Sequence, residues 1–329
     1  MSNISKIANF NNNGIFISPN GTQFTNNSNI PKELVIFAIY HVAQYDGKPT
    51  TATNLSVSDF LTPMRKLIYK IQSPEITELT DVSYIMKSAK GTAMHSGLEA
   101  ALAWYGGYKQ EIRSQKVIDG VVVSGKFDLI DLETNTLKDL KHVSSYTYKK
   151  LMLDIEKIKD MDNSMTLKER LEYIPTYTKF QLQMSMYKWL NPELNLNPYG
   201  DIIFSLNDGG GMERYPIDNF HRFPLLLDEE IEEFVVNHLT ELKQHLADST
   251  LPLCSDSERG FSPAEYKLQR VSPTNGQLTT VRGSKFNNYA KFREFVIKSG
   301  RPGDVEQIQE AKYALCNYCH ANSYCNQPI

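Results

Sequence analysis

The sequence predicts an α/β protein with a mixed central sheet flanked by helices. Residues 110–143 read as three short strands, separated by turn signals at Asp119-Gly120 and at 133–135. Further elements surround this run, with helical patterns at 88–106, 146–160 and 176–190 and a strand pattern at 201–206. A helix, three strands, two helices and a strand, in that order, indicate a sheet of mixed direction with helices on its flanks.

The chain is predicted to divide into three parts. Residues 1–87 form an N-terminal flexible and helical segment, whose first 30 residues are Asn-rich and indicate a mobile or edge segment. Residues 88–250 form the α/β core, which ends with a long helix at 228–247. Residues 251–329 form a C-terminal cysteine module packed on that core. A chain of 329 residues is long enough to bury a sizeable core.

Composition excludes several classes of protein. The net charge is only −3, so the chain is not a simple DNA-coating protein. Hydrophobic residues make up 41% and charged residues 22%, as in ordinary globular proteins. The longest apolar run, 34–40, is far too short for a membrane span, and no signal-type segment opens the chain. We therefore expect no membrane partner and a cytoplasmic location, which is the host cytoplasm if the protein is viral.

The most informative stretch pairs two carboxylates with a lysine. Asp128 ends the motif Gly125-Lys-Phe-Asp, and a short hairpin would bring Asp139 alongside it. Lys141 lies two residues after Asp139, so both side chains point to the same face of their strand. Carboxylates are the ligands that Mg²⁺ and Mn²⁺ prefer, and a neighbouring lysine can orient or deprotonate an attacking water. An ordinary surface hairpin remains the alternative.

Two helices add candidate site residues. His95 and Glu99 are four residues apart and share one side of the helix that precedes the strands. Gln183 and Tyr187 share a face of the helix that follows them. Packed helices with incidental polar residues would show the same spacing.

The four cysteines all lie in the last quarter of the chain: Cys254, Cys316, Cys319 and Cys325. Four thiolates complete one site, either a [4Fe–4S] cluster or a structural Zn²⁺. A disulfide framework is disfavoured because nothing in the sequence indicates export. Free buried cysteines are the remaining alternative.

Together these motifs resemble the RecB-like branch of the PD-(D/E)XK nucleases, which includes the AddB nuclease domain, CRISPR-associated RecB-like exonucleases and phage members. The family pattern has five parts in order: G-x-x-x-H (91–95), G-x-x-D (125–128), D/E-x-K (139–141), Q-x-x-x-Y (183–187) and a C-x-x-C-x-x-x-x-x-C tail (316–325). They span about two-thirds of the chain, so the resemblance implies a restriction-endonuclease-like core.

The resemblance also implies a role for each matched residue. Asp128 and Asp139 look like the metal carboxylates, with the Leu140 carbonyl as a third oxygen and His95 as the extra ligand of this branch. Lys141 looks like the catalytic lysine.

Gln183 and Tyr187 look like the pair that orients that lysine and touches the DNA backbone. The tail is similar to the iron–sulfur site of AddB, although the distant Cys254 follows the nuclease helices here and precedes them in the best-known relatives. Zinc therefore stays open at this site.

The expected activity is Mg²⁺- or Mn²⁺-dependent hydrolysis of DNA. The family implies an exonuclease acting on single-stranded or end-bearing DNA in recombination, repair or phage DNA processing, with a helicase or recombination protein as a possible partner. A structure-specific endonuclease and a DNA-gripping subunit of a helicase–nuclease complex are the alternatives.

Overall fold

The computed structural model describes the chain in ten stretches: residues 15–17, 23–28, 30–43, 50–72, 80–162, 164–207, 218–274, 276–319, 321–322 and 325–327. The chain divides into two compact units, Met1–Pro252 and Leu253–Ile329. Much of the Asn-rich segment predicted at 1–30 lies outside the described residues.

The first unit alternates strands and helices. Its described strands are β1 (Ile15–Ile17), β2 (Gln23–Thr25), β3 (Asn54–Ser56), β4 (Thr80–Asp81), β5 (Tyr108–Ile118), β6 (Val121–Asp131), β7 (Thr136–Val143), β8 (Tyr199–Leu206) and β9 (Asp218–Pro224). Its described helices are α1 (Lys32–Ala43), α2 (Val57–Phe60), α3 (Met64–Gln72), α4 (Val82–Tyr105), α5 (Ser145–Ile158), α6 (Leu167–Tyr173), α7 (Pro175–Leu190) and α8 (Asp228–Ala247).

Six of these strands form one mixed sheet, so the predicted fold class is confirmed at that level. The strand order is β3-β6-β7-β8-β9, and β5 pairs with β6. The β5–β6, β6–β7 and β8–β9 pairs are antiparallel, whereas β3–β6 and β7–β8 are parallel. The return from β7 to the parallel β8 is made through α5, α6 and α7, as a parallel connection requires a long crossover.

The three predicted strands and both predicted turns are present. Asp119 and Gly120 join β5 to β6 with φ values of 49° and 78°, the left-handed backbone that a two-residue hairpin needs. Asn135, with φ of 48°, precedes β7 in the second turn. The local sequence therefore sets the register of the strands that carry the candidate site.

The observed helix boundaries agree with the predicted ones less uniformly than the strands do. The helix predicted at 228–247 is confirmed as α8. The helix predicted to start at residue 88 instead starts at Val82, because the Asp81 side chain accepts a hydrogen bond from the Ser83 N–H and caps it there. Consequently α4 runs through the domain boundary predicted at 87.

The hydrophobic core of the first unit lies between the sheet and its helices. Helix α7 is buried on most sides, with Leu182, Met184 and Met186 fully enclosed, so it forms the backing of the central strands. A second, smaller cluster joins α1 to the start of α4 through Val35, Ile39 and other apolar side chains. No helix in the described parts of the chain has the length and apolar content needed to span a bilayer.

The second unit is a smaller arrangement of strands and helices. Its elements are α9 (Asp256–Arg259), β10 (Phe261–Ser262), β11 (Glu265–Val271), β12 (Leu278–Thr280), α10 (Tyr289–Ser299), β13 (Val305–Gln309) and β14 (Lys312–Tyr313). β11 lies between β12 and β13, and β10 pairs with β14. β11 and β12 pair antiparallel as a hairpin, and α10 follows them in the chain.

Candidate active site

The main sheet opens between β6 and β7. Their antiparallel pairing ends at Leu129 and Lys138. On the same edge, β6 meets β3 only near its beginning, so residues 125–128 have no strand partner on that edge within the described chain. The next residues in register are Asp128 and Asp139. Strand geometry alone therefore places two carboxylates opposite each other where the sheet opens.

A backbone group of β7 already reaches across this opening. The Leu140 N–H donates a hydrogen bond of 2.8 Å to Asp128 Oδ2. The N–H and C=O of a strand residue point to the same side, so the Leu140 carbonyl also faces the opening. The oxygen that the sequence predicts as a third metal ligand thus points toward the two carboxylates.

Asp139 is the most buried acidic group of the site, with 2% of its side chain exposed. Its Oδ2 lies 2.7 Å from Lys141 Nζ, which confirms that the two side chains share a face of β7. The same oxygen is completely buried and has no well-directed hydrogen bond in the described chain. The Lys141 ammonium therefore compensates the charge of Asp139 without making a well-directed hydrogen bond to this oxygen. A buried acceptor in that state costs free energy unless another ligand is bound.

His95 faces the carboxylates from α4. Its Nδ1 lies 3.6 Å from Asp128 Oδ2, and the side chain is about a quarter exposed. The helix packs on β7 at position 91, where an added Cβ would make an ordinary contact of 3.8 Å with His142 Cβ. The predicted G-x-x-x-H segment is thus placed over the opening of the sheet.

Helix α7 contributes the two residues predicted from the Q-x-x-x-Y motif. Gln183 Nε2 donates a hydrogen bond of 2.9 Å to the Tyr187 hydroxyl oxygen. Burial raises the pKa of Tyr187, and the negative charge of Asp139 raises it further. The hydroxyl therefore stays protonated, and because Gln183 is the donor in this bond, the hydroxyl can still donate its own proton to another acceptor.

The glycine of the G-x-x-D motif sets the distance between β6 and α7. A Cβ at Gly125 would lie 2.8 Å from Val57, 2.9 Å from Leu190 and 3.0 Å from Tyr187 side-chain atoms. These distances are shorter than ordinary carbon–carbon contacts. Only glycine lets Tyr187 approach the strand that carries Asp128.

The residues predicted for the active site all line one cavity of about 600 Å³. It is lined by His95, Asp128, Asp139, Leu140, Lys141, Gln183 and Tyr187. These side chains come from β6, β7, α4 and α7, so only the folded chain brings them together.

The cavity also contains residues that the sequence analysis missed. Arg113 and Lys126 line it, as do the hydroxyls of Ser88, Thr92 and Ser96, which are spaced four residues apart on one face of α4. Lys126 could have been found, because alternation along the strand puts it on the face of Asp128. Arg113 could not, since only the register of β5 with β6 brings it there.

The donor set fits a hard cation held mainly by oxygen. Within the described residues, no three His, Cys, Asp or Glu side chains are already grouped to hold a metal ion. At the sheet opening, however, two carboxylates and a backbone carbonyl face each other, and Asp139 Oδ2 is buried without a directed partner. Mg²⁺ and Mn²⁺ commonly bind through few carboxylates and retain waters, so these residues suit such an ion.

The four cysteines lie in the second unit, each partly exposed, and no disulfide joins them in the described part of the chain. The Cys254 N–H donates a hydrogen bond of 2.9 Å to Gln327 Oε1, and Gln327 Nε2 donates one of 2.8 Å to the Cys254 carbonyl. Gln327 lies two residues beyond Cys325. Cys316 and Cys319 are joined by a backbone hydrogen bond of 3.1 Å. The chain segments thus approach each other pairwise, but the described thiols are not grouped as a three-ligand metal site.

Comparison with known proteins places the chain far from characterised relatives. No family model and no curated protein matches it. The chain is similar to the crystal structure of SSO0001, with 15% identity, a TM-score of 0.41, and coverage of 70% of this chain and 91% of that one. It is also similar to a phage-related exonuclease from Haemophilus somnus 129PT, with 15% identity, a TM-score of 0.33, and coverage of 50% and 74%. At these values neither similarity assigns a function.

Proposed function

We propose that the protein is a Mg²⁺- or Mn²⁺-dependent DNA nuclease of the PD-(D/E)XK type, acting as an exonuclease on single-stranded or end-bearing DNA. The observation that carries the proposal is the meeting of Asp128 and Asp139 at the sheet opening, with Lys141 Nζ 2.7 Å from Asp139. A protein that only grips DNA has no need of this combination in one cavity.

Asp128, Asp139 and the Leu140 carbonyl would hold the metal ion. When bound, such an ion polarises the scissile phosphate and lowers the pKa of a coordinated water. Lys141 lies beside these carboxylates, where its ammonium can offset phosphate charge and orient the attacking water. Burial of Asp139 strengthens each of these electrostatic interactions, because the local dielectric constant is lower than that of water.

The remaining predicted residues would position these groups. The Gln183 amide fixes the Tyr187 hydroxyl, which stays protonated and can donate to a phosphate oxygen. His95, 3.6 Å from Asp128, is placed to act as a further metal ligand or to hold that carboxylate in position.

The choice of DNA ends as substrate is supported by the resemblance of five ordered motifs to RecB-like nucleases. The same resemblance supports a role in recombination, repair or phage DNA processing, with a helicase or recombination protein as partner.

The test compares digestion of end-labelled linear DNA in Mn²⁺ with and without chelator. Lys141→Gln keeps a hydrogen-bond donor for buried Asp139 but removes the ammonium, so cleavage should fall at least about a hundredfold under conditions where the unfolding curve shows the variant to be folded. Lys168→Gln, which changes an exposed cation on α6, is the matched control and should cleave normally. Undiminished digestion by Lys141→Gln would refute the assigned role.

The same preparation separates the alternatives. Nicking of closed circular single-stranded DNA would identify an endonuclease, because such a substrate has no ends. Binding of linear DNA with no cleavage in either metal would favour the DNA-gripping subunit.

We also propose that Cys254, Cys316, Cys319 and Cys325 bind one metal centre, a [4Fe–4S] cluster or Zn²⁺. The pairwise approach of their chain segments supports this, and closing the site requires the thiols to turn toward one another. Metal analysis and the visible spectrum of protein purified without oxygen distinguish iron from zinc. Cys319→Ser should lose the metal, and a metal-free wild type would reject the site.

A further inference from the structure

Two cations stand side by side on the wall of the cavity. Arg113 of β5 and Lys126 of β6 are register partners in the antiparallel pair, so their side chains lie on the same face with Cβ atoms about 5 Å apart. Both line the cavity that contains the carboxylates. Lys126 precedes Asp128 by two residues, which places it on the same face about 6.6 Å along the strand.

The two side chains carry the same charge and line the same cavity as the candidate metal carboxylates. Like charges directly opposite each other on neighbouring strands are destabilising. An anion bound near both side chains would be attracted by each of them. An arginine and a lysine together suit a phosphate, because the guanidinium binds two oxygens in a fixed plane and the ammonium adds a compact charge.

The charge of Arg113 also reaches the catalytic residues. Burial raises the pKa of Tyr187, and the positive charge of Arg113 acts in the opposite direction. The cation is therefore near enough to influence a group at the opening of the sheet.

We infer that Arg113 and Lys126 form a phosphate-binding subsite for the nucleotide next to the scissile bond. The inference rests on the nuclease function proposed above and names how its substrate is held. Two residues along a strand span a distance comparable to that between neighbouring phosphates of an extended nucleic acid. The bound strand then follows β6 from Asp128 toward Lys126, and the subsite reads the backbone rather than the bases.

The experiment measures binding of a labelled single-stranded oligonucleotide in chelator, where metal-dependent cleavage does not proceed. For single strands, each phosphate neutralised contributes about 0.7 to the slope of log affinity against log salt. The Arg113→Gln, Lys126→Gln double variant removes the contacts to one phosphate, so it should lose about 0.7 from that slope, which weakens binding about 5-fold at 0.1 M salt. Poly-dT and poly-dA should be affected equally.

Two controls assign the effect to the subsite. Lys168→Gln removes an exposed cation outside the cavity and should keep the wild-type slope. The charge-preserving pair Arg113→Lys, Lys126→Arg should also keep most of the slope. A double Gln variant that folds normally and has the wild-type slope would overturn the inference.

The outcomes also separate this subsite from the nuclease function. If the double Gln variant cleaves DNA in Mn²⁺ and keeps the wild-type salt slope, the subsite is rejected and the nuclease function stands. If the double variant has a smaller salt slope and the wild type does not cleave DNA, the phosphate site stands and the nuclease function is rejected.

Discussion

Replacing Gly125 by alanine tests the proposed architecture of the site most directly. The added Cβ would lie 2.8–3.0 Å from atoms of Val57, Leu190 and Tyr187. Any one of these side chains could turn aside at an exposed position, but all three are buried, with at most 8% exposed. The strain is therefore relieved by moving β6 away from α7, which carries Asp128 with it.

The expected magnitude follows from the cost of overpacking a core. One extra methyl group in a well-packed interior costs about 1–3 kcal/mol. For a unit of this size, that corresponds to a fall of roughly 2–12 °C in the unfolding midpoint. Displacing a catalytic carboxylate by about 1 Å can reduce turnover on the order of a hundredfold. Urea unfolding should show a lower midpoint with an unchanged slope, and DNA digestion should fall more than stability accounts for.

Gly97 provides the matched control, because a Cβ there meets nothing within 4 Å. Gly97→Ala lies in α4, so it should stabilise the helix by up to about 1 kcal/mol. A Gly125→Ala protein as stable as the wild type, alongside a Gly97→Ala protein that behaves as expected, would refute the close approach of β6 and α7.

Two further predictions concern stability. Gly91→Ala should raise the free energy of unfolding by up to about 1 kcal/mol, since its Cβ would make only an ordinary 3.8 Å contact with His142, and a lowered urea midpoint would contradict the packing of α4. His238 has a buried Nε2 without a hydrogen bond in the described chain, and burial lowers its pKa to about 4, with Asp59 acting in the opposite direction. Between pH 6.5 and about 4 the unfolded chain binds a proton that the folded chain does not, so the wild type should lose about 3 kcal/mol as the pH falls through this window. His238→Leu should lose less over the same range, and parallel stability–pH curves for the two proteins would contradict this origin.

Local sequence determined much of the sheet. The Asp119-Gly120 turn and the alternation along 121–130 were sufficient to predict the β5–β6–β7 hairpins, because both signals act over a few residues. Helix α8 carries its acidic first turn and apolar stripe in the sequence and was predicted with its observed ends.

Other elements depended on partners that the pattern does not show. β9 was missed because its position as an edge strand comes from pairing with β8. The start of α4 was misplaced because Asp81 was not taken as its cap, although its residue type permits that. Helix α6 was also missed, although the capping box of Thr166 and Glu169 was available as a signal.

The sequence by itself determined which residue types carry the chemistry: the two aspartates, the lysine two residues after the second, and the Gln–Tyr pair one helical turn apart. Tertiary structure alone decided that pairing of β6 and β7 stops before Asp128 and Asp139 and that Gly125 brings Tyr187 against β6. It alone added Arg113 from a neighbouring strand to the cavity. Spacing along a chain fixes only which side chains share a face, whereas the meeting of faces depends on the packing and register of segments distant in sequence.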